Sequence, residues 1–282
     1  MAGDRMQQSR FELKYLLDEE TALRVRDFVR CYLNLDEFGV GQPNYSYPVH
    51  SLYLDSDDLT IYWRTINGDM NRYKLRLRYY STNPDTPVFF EIKRRIKDCI
   101  LKQRGAVRQS AVPLLLSGQL PDSDSIISKN PANLVSLQRF SELMMSVYAK
   151  PKVHIFYKRE AYVSDDDEVR VTLDRDVYAE ANLTPTIKTH ITKPVVSYAK
   201  TVILELKFTN RFPNWFRELV RVFNVMQCGA AKYVSSVNEL GHIRLEARGA
   251  VMEETSLLRN YRAGDDLPIR AQMDKGTFEF RE

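Results

Sequence analysis

The triplet Glu-x-Lys occurs in three separate stretches, each with apolar residues at the alternate positions. These are "RFELKYLL" with Glu12 and Lys14, "FFEIKRR" with Glu91 and Lys93, and "ILELKF" with Glu205 and Lys207. The stretch "KLRLRYY", residues 74–80, alternates the same way, with Lys74, Arg76 and Arg78 on one face and Leu75, Leu77 and Tyr79 on the other. Period-2 alternation is the signature of a strand with one buried face. One charged strand is ordinarily solvated, but like charges side by side repel. Here "CILKQRG" adds Lys102 and Arg104, "EVRVTLD" adds Arg170, Thr172 and Asp174, and Arg10 shares a face with Glu12 and Lys14. If the apolar faces of six such strands pack against helices, their charged faces must line a common space. A closed barrel with a polar interior does this.

The order of elements agrees with that constraint. "RFELKYLL" reads as a strand and "DEETALRVRDFVRCYL" as an amphipathic helix with an acidic start. After a loop at 39–48 come the strand "VHSLYLDS", the short helix "DDLTIYWRTING" and the strands "RYKLRLRYY", "PVFFEIKRR" and "CILKQRGAV". Residues 113–149 read as mainly helical. "PKVHIFYKREAYVS", "EVRVTLDRDVYAEA" and "KTVILELKF" are strands, followed by the Pro-initiated helix "PNWFRELVRVFNVMQ" and the closing segment "GAAKYVSSVNELG". The expected fold is α+β: an eight-stranded, antiparallel barrel with helices outside. Residues 1–8 read as a polar leader, 9–247 as one domain and 248–282 as an extension, partly mobile.

Bulk properties remove several classes. A net charge of +4 is too small for a general nucleic-acid coat. Cys31, Cys99 and Cys228 form neither a disulfide framework nor zinc spacing. The amino terminus has no apolar core, and runs such as "AVPLLL" are far too short to span a bilayer. The expectation is a cytoplasmic monomer without membrane span. His50, His154, His190 and His242 share no metal-ligand spacing, and no G-x-x-x-x-G-K loop is present. "SDDD" at 164–167 reads as a solvated turn, and Tyr15, Tyr53 and Tyr233 as packing aromatics.

An eight-stranded interior is narrow, and unpaired charge inside it is costly. A polyphosphate together with a divalent cation would supply the missing counter-charges.

The ordered set "RFELKY", "SLYLDS", "RYKLRLRYY", "FFEIKRR", "LKQR", "YKREAY", "VRVTLD", "LELKF" and "AAKYVSSV" resembles the catalytic domain of the vacuolar transporter chaperone proteins. That domain is a polyphosphate polymerase of the triphosphate tunnel metalloenzyme superfamily. The resemblance runs from about residue 9 to about 242. It implies an eight-stranded antiparallel tunnel, ATP as substrate, phosphate or pyrophosphate as companion ligands, a divalent metal (Mn2+ or Mg2+), and inorganic polyphosphate as product. By position it assigns Lys14, Arg76, Arg78, Lys93 and Lys232 to catalysis. Lys102, Arg159 and Arg170 fall to substrate binding, joined by the lumen-facing Lys74, Arg104, Lys207 and Arg10. Glu205 matches the metal-binding glutamate. Glu12 and Glu91 are further metal ligands or partners of Lys14 and Lys93, with the partner role favoured for Glu91.

The tunnel hydrolases begin Glu-x-Glu-x-Lys, and Arg10 replaces the first glutamate here, which weakens a hydrolase reading. The front regulatory domain and rear transmembrane helices of the eukaryotic relatives are also missing, so a free-standing, bacterial version is expected. Two alternatives remain: a triphosphatase on the same fold, and a non-catalytic polyphosphate sensor.

Overall fold

The computed structural model describes residues 10–97, 99–128, 130–209, 211–242 and 245, excluding the side chain of Arg10. All of them fall in the unit Met1–Glu246. The leader and the extension expected at 248–282 lie outside the described residues. In chain order the elements are β1 (Arg10–Leu17), α1 (Glu19–Val29), β2 (Asn34–Leu35), β3 (Ser46–Asp55) and α2 (Thr60–Ile66). Then come β4 (Asn71–Tyr79), β5 (Val88–Ile96), β6 (Cys99–Val107), α3 (Val112–Leu116) and α4 (Pro131–Ser146). The remainder is β7 (Lys150–Val163), β8 (Val169–Ala181), β9 (Val195–Val196), β10 (Val202–Thr209), α5 (Asn214–Val222) and α6 (Lys232–Leu240).

Eight strands follow one another in the order β7-β3-β4-β5-β6-β1-β10-β8, and a further pairing of β7 with β8 brings the two ends together. Every pairing is antiparallel, and the short β2 and β9 extend β7 and β8. The thinnest joint is β1 with β6, where Arg10 opposite Ile100 is the one registered pair among the described residues. The tunnel fold expected from the strand alternation is therefore present.

The alternation decides what each face meets. Leu75, Leu77 and Tyr79 turn outward and are fully buried with Phe90 and Ile92 beneath Leu137, Phe140 and Met144 of α4. Each such side chain contributes about 1.5–3 kcal/mol by leaving water. Helix α4 begins at Pro131, and the Asn130 side chain accepts from Ala132 N. It lies so close to β6 that a Cβ on Gly105 would stand 2.5 Å from Leu137 Cγ. On the opposite side Ala22, Val25 and Val29 of α1 and Phe216 and Leu219 of α5 cover Leu204, Leu206, Val171 and Leu173. Asp18 caps α1 by accepting from Thr21 N at 2.7 Å.

Helix α6 fills the interior at one end. Its Tyr233, Val237 and Leu240 pack with Val49, Tyr53, Val153, Ile155, Val177 and Ala179, the inward residues of β3, β7 and β8. Buried Asp55, at the end of β3, ties this plug down: it accepts from Ile61 N and Tyr62 N at the start of α2 and from the Tyr233 hydroxyl at 2.7 Å. Tyr53 and Tyr233 stack with centroids 5.0 Å apart, and Tyr15 is core, as expected of packing aromatics. The strands β2 and β9 had no counterpart in the sequence pattern; two residues are too few to alternate.

Candidate functional site

The inward positions bring eleven of the expected cations into one lumen: Lys14, Lys74, Arg76, Arg78, Lys93, Lys102, Arg104, Arg159, Arg170, Lys207 and Lys232. Four carboxylates stand among them, Glu12, Glu91, Asp174 and Glu205. Lys232 comes from the first turn of α6 and the rest from strands. The Arg10 side chain lies outside the described residues.

Glu205 is the hub of one cluster. Lys14 approaches it at 3.1 Å, Lys207 at 2.5 Å, Lys232 at 3.1 Å and Arg159 at 3.5 Å. Lys232 also reaches Asp174 at 2.6 Å, and Arg159 grips Asp174 through Nε and Nη2 at 2.7 Å each. Burial pushes the Glu205 and Asp174 carboxyls upward, but the surrounding cations outweigh it and hold both below the ordinary carboxylate range. Lys14 and Lys232 lie above the ordinary lysine value: burial opposes their charge, and their carboxylates overcome it. Lys207 goes the other way, pushed down to about 7 by burial, with Arg159 adding to the push against Glu205.

Glu91 is the hub of a second cluster. Arg76 Nη2 lies at 2.7 Å, Lys102 at 2.7 Å and Arg104 Nε at 3.6 Å. Arg76 also donates to the Tyr53 hydroxyl at 3.0 Å. Among the described residues Glu91 thus partners Arg76, Lys102 and Arg104 and not Lys93, the partner expected for it on sequence grounds, because Lys93 reaches Glu12 instead. Lys102 is pushed down to about 8 by burial, which Glu91 only partly offsets.

Between the hubs positive charge is left over. Lys93 pairs with Glu12 on the facing strand at 2.8 Å, and Lys14 shares that same carboxylate at 3.2 Å. Lys74 makes no ion pair among the described residues; burial and the nearby charges of Lys14 and Lys93 push it down to about 7. Arg78 donates from Nε to Ser51 Oγ at 3.0 Å, while its buried Nη2 has no partner among the described residues. Arg170 sits near one end of the tunnel, ion-paired to Asp36 at 2.5 Å.

A divalent cation is a fair fit to part of this set. Lys14 Nζ lies within 3.2 Å of both Glu12 and Glu205, so two carboxylates converge on a space that already accepts one small cation. Hard cations in phosphate sites commonly take one or two carboxylates and complete their shell with phosphate oxygens. No group of three His, Cys, Asp or Glu side chains converges among the described residues.

Asp174, on the inward face of "EVRVTLD", joins the site although the sequence reading assigns it no role there. Its importance comes from Arg159, its cross-strand partner on β7, together with Lys232 on α6, which is 58 positions later. His50 and His154 also defeat sequence spacing: 104 positions apart, they face one another at 3.1 Å on adjacent strands, outside the lumen. "SDDD" forms a turn, with the Asp166 carboxylate accepting from Glu168 N.

Fold and site together define a tunnel protein with a cation-lined interior. The chain belongs to the VTC domain family, whose model matches residues 9–240. It is 26% identical over 133 residues to vacuolar transporter chaperone complex subunit 2 of Schizosaccharomyces pombe, covering 44% of this chain and 18% of that protein. It is 26% identical over 144 residues to subunit 4 of the same complex and organism, covering 46% and 20%. The matched part is thus about a fifth of the length of these relatives. Among solved structures, a candidate adenylate cyclase from Bacillus halodurans superposes with a TM-score of 0.45 at 14% identity, over 79% of this chain and 94% of the other. A Pyrococcus horikoshii protein gives 0.41 at 14% identity, over 82% and 98%. Among the described residues no helix is long and apolar enough to cross a membrane.

Proposed function

We propose that this chain is a metal-dependent polyphosphate polymerase that transfers the γ-phosphoryl group of ATP to the end of an inorganic polyphosphate chain and releases ADP. The observation that carries this reading is the charge imbalance of the lumen: eleven cations on all sides of an enclosed space holding four carboxylates. Membership of the VTC domain family supports it. An interior of that kind is built around a ligand with many ionised oxygens, because uncompensated charge at such density is costly.

Phosphoryl transfer needs positioning and charge neutralisation more than covalent help. Arg76 and Arg78 offer planar donors to non-bridging oxygens, and Lys14, Lys93 and Lys232 act as movable point charges. An oxygen of the acceptor's terminal phosphate attacks the γ-phosphorus, the bond from that phosphorus to the β–γ bridging oxygen breaks, and ADP keeps the electron pair. The acceptor oxygen is ionised at neutral pH, so no side chain has to remove a proton. Glu205 and Glu12 would hold the Mn2+ or Mg2+ ion, which when bound neutralises developing charge on phosphate oxygens.

The deciding experiment incubates the protein with ATP and Mn2+ and measures ADP, free phosphate and acid-insoluble polyphosphate together. ADP matched by polymer, and lost in Arg76→Ala, is the expected result. Free phosphate without polymer would make the protein a triphosphatase. Tight polyphosphate binding without turnover would make it a sensor.

A further inference from the structure

At the end of the tunnel away from α6, the wall changes from cations to rings. Tyr47 on β3 and Phe89 on β5 occupy inward positions, and Tyr80 continues the inward register one step past β4. Phe38 joins them from the 3-10 turn Glu37–Gly39. Its ring is parallel to that of Tyr80, with 1° between planes and centroids 6.5 Å apart, and it lies 5.8 Å from Tyr47. Tyr80 in turn meets Phe89 edge-on at 6.4 Å. Rings from four separate segments thus meet at one mouth, yet Phe38 is 63% and Tyr80 41% exposed. An aromatic cluster that leaves two of its residues this exposed has not been assembled to complete a core.

Its supports tie it to the lumen. The Asp36 carboxylate accepts from Phe38 N at 3.1 Å, fixing the turn, and the same carboxylate holds Arg170. The Arg104 guanidinium lies 3.4 Å from the Phe89 centroid. The rings are therefore flanked on both sides by arginines that face the phosphate-binding space.

We propose that Phe38 and Tyr80, backed by Tyr47 and Phe89, form the subsite that stacks the base of the nucleotide substrate, while Arg104 and Arg170 receive its phosphates. This rests on the nucleotide reading above and adds to it: the rim makes the tunnel prefer a nucleoside triphosphate over inorganic triphosphate. The preference is sequence-tolerant stacking, since every base has a π-face.

The test is calorimetric titration of the whole protein with a non-hydrolysable ATP analogue and, separately, with inorganic triphosphate. In Phe38→Ala and Tyr80→Ala the analogue should bind about tenfold more weakly, within the range that base stacking supplies. Triphosphate affinity should stay unchanged. Phe38→Tyr, which keeps the ring, should bind the analogue like the parent. Equal loss for both ligands, or no loss for the analogue, overturns the rim as a base subsite. So does a parent protein that binds triphosphate as tightly as the analogue, although the phosphate tunnel would then stand. Binding of neither ligand overturns both readings.

Discussion

Lys74 of β4 stands directly opposite Lys93 of β5 on the lumen face, and Lys93 stands opposite Lys102 of β6, a cross-strand row of three lysines. Directly opposed like charges destabilise a sheet, and Lys74, held down to about 7 by burial ahead of the Lys14 and Lys93 charges, carries the strain. In the unfolded chain that lysine keeps its proton to about pH 10. Between the two values the unfolded state binds more protons, so stability rises with pH across that window, and the penalty is greatest at pH 7 and below. Lys207, also lowered to about 7, acts with the same sign. Lys74→Met should therefore raise the melting temperature of the ligand-free protein at pH 7, by about 2–4 °C if ~1 kcal/mol is recovered, while weakening polyphosphate binding. A lower melting temperature would contradict this account.

A bound polyanion reverses the balance at the same residue. It favours the ammonium form, so polyphosphate binding at pH 8 should draw protons from solution. Titrations in buffers of different ionisation enthalpy read this directly. Zero net uptake would mean that Lys74 and Lys207 already carry their protons in the free protein at that pH or do not face the ligand.

Arg78 carries a donor with nothing to hold. Its buried Nη2 lacks a partner among the described residues, whereas Nε is occupied by Ser51. Arg78→Gln should weaken triphosphate binding by roughly 10- to 100-fold, the value of a hydrogen bond from a charged group at ~1.5–3 kcal/mol. Thermal stability should fall only by about the ~0.5–1.5 kcal/mol of the Nε–Ser51 hydrogen bond, since Nη2 itself makes no contact among the described residues. Binding isotherms and melts of the same preparation separate the two effects.

Asp174→Ala should behave in the opposite way. It strips the fully buried carboxylate from Arg159 and Lys232, leaving two cations facing each other beside Glu205. Breaking a buried pair in this way costs about 3–5 kcal/mol. Added polyphosphate should restore part of the lost melting temperature by supplying the missing charge. A variant as stable as the parent would show the pairs to be decorative.

Gly105→Ala tests the packing of α4 on the barrel. The new Cβ would stand 2.5 Å and 2.7 Å from Leu137 Cγ and Cδ2 and 3.0 Å from the Asn133 carbonyl oxygen. Overpacking of this kind costs about 1–3 kcal/mol. The measurement is a urea melt, with an unchanged midpoint as the adverse result.

The barrel could be anticipated because its physics is local. In "KLRLRYY" each charged residue is followed by an apolar one, and only the backbone period is needed to sort Arg76 from Leu77. Asp174 could not be ranked this way. It alternates like any strand residue, and what distinguishes it are Arg159 and Lys232, brought together by a β7–β8 ladder and a helix 58 positions later. The rim was hidden for a similar reason. Phe38 sits in a segment that reads only as the approach to a loop, and its ring finds Tyr80 through the turn that Asp36 caps. The role of α6 as an interior plug was equally invisible, since "KYVSSVNEL" has the pattern of a helix packing on any apolar surface.

The segregation of charge has a consequence for the rest of the molecule. The whole chain holds 41 Lys and Arg against 37 Asp and Glu. Among the described residues, once the eleven cations and four carboxylates of the lumen are set aside, twenty basic and twenty-three acidic side chains remain. Despite a pI near 8.8, the described part of the chain outside the lumen is faintly acidic. A long polyanion drifting past the barrel meets mild repulsion from its described outer residues and strong attraction at an opening. The protein is a lens for negative charge, and its wrapping, no less than its interior, directs where such a chain can land.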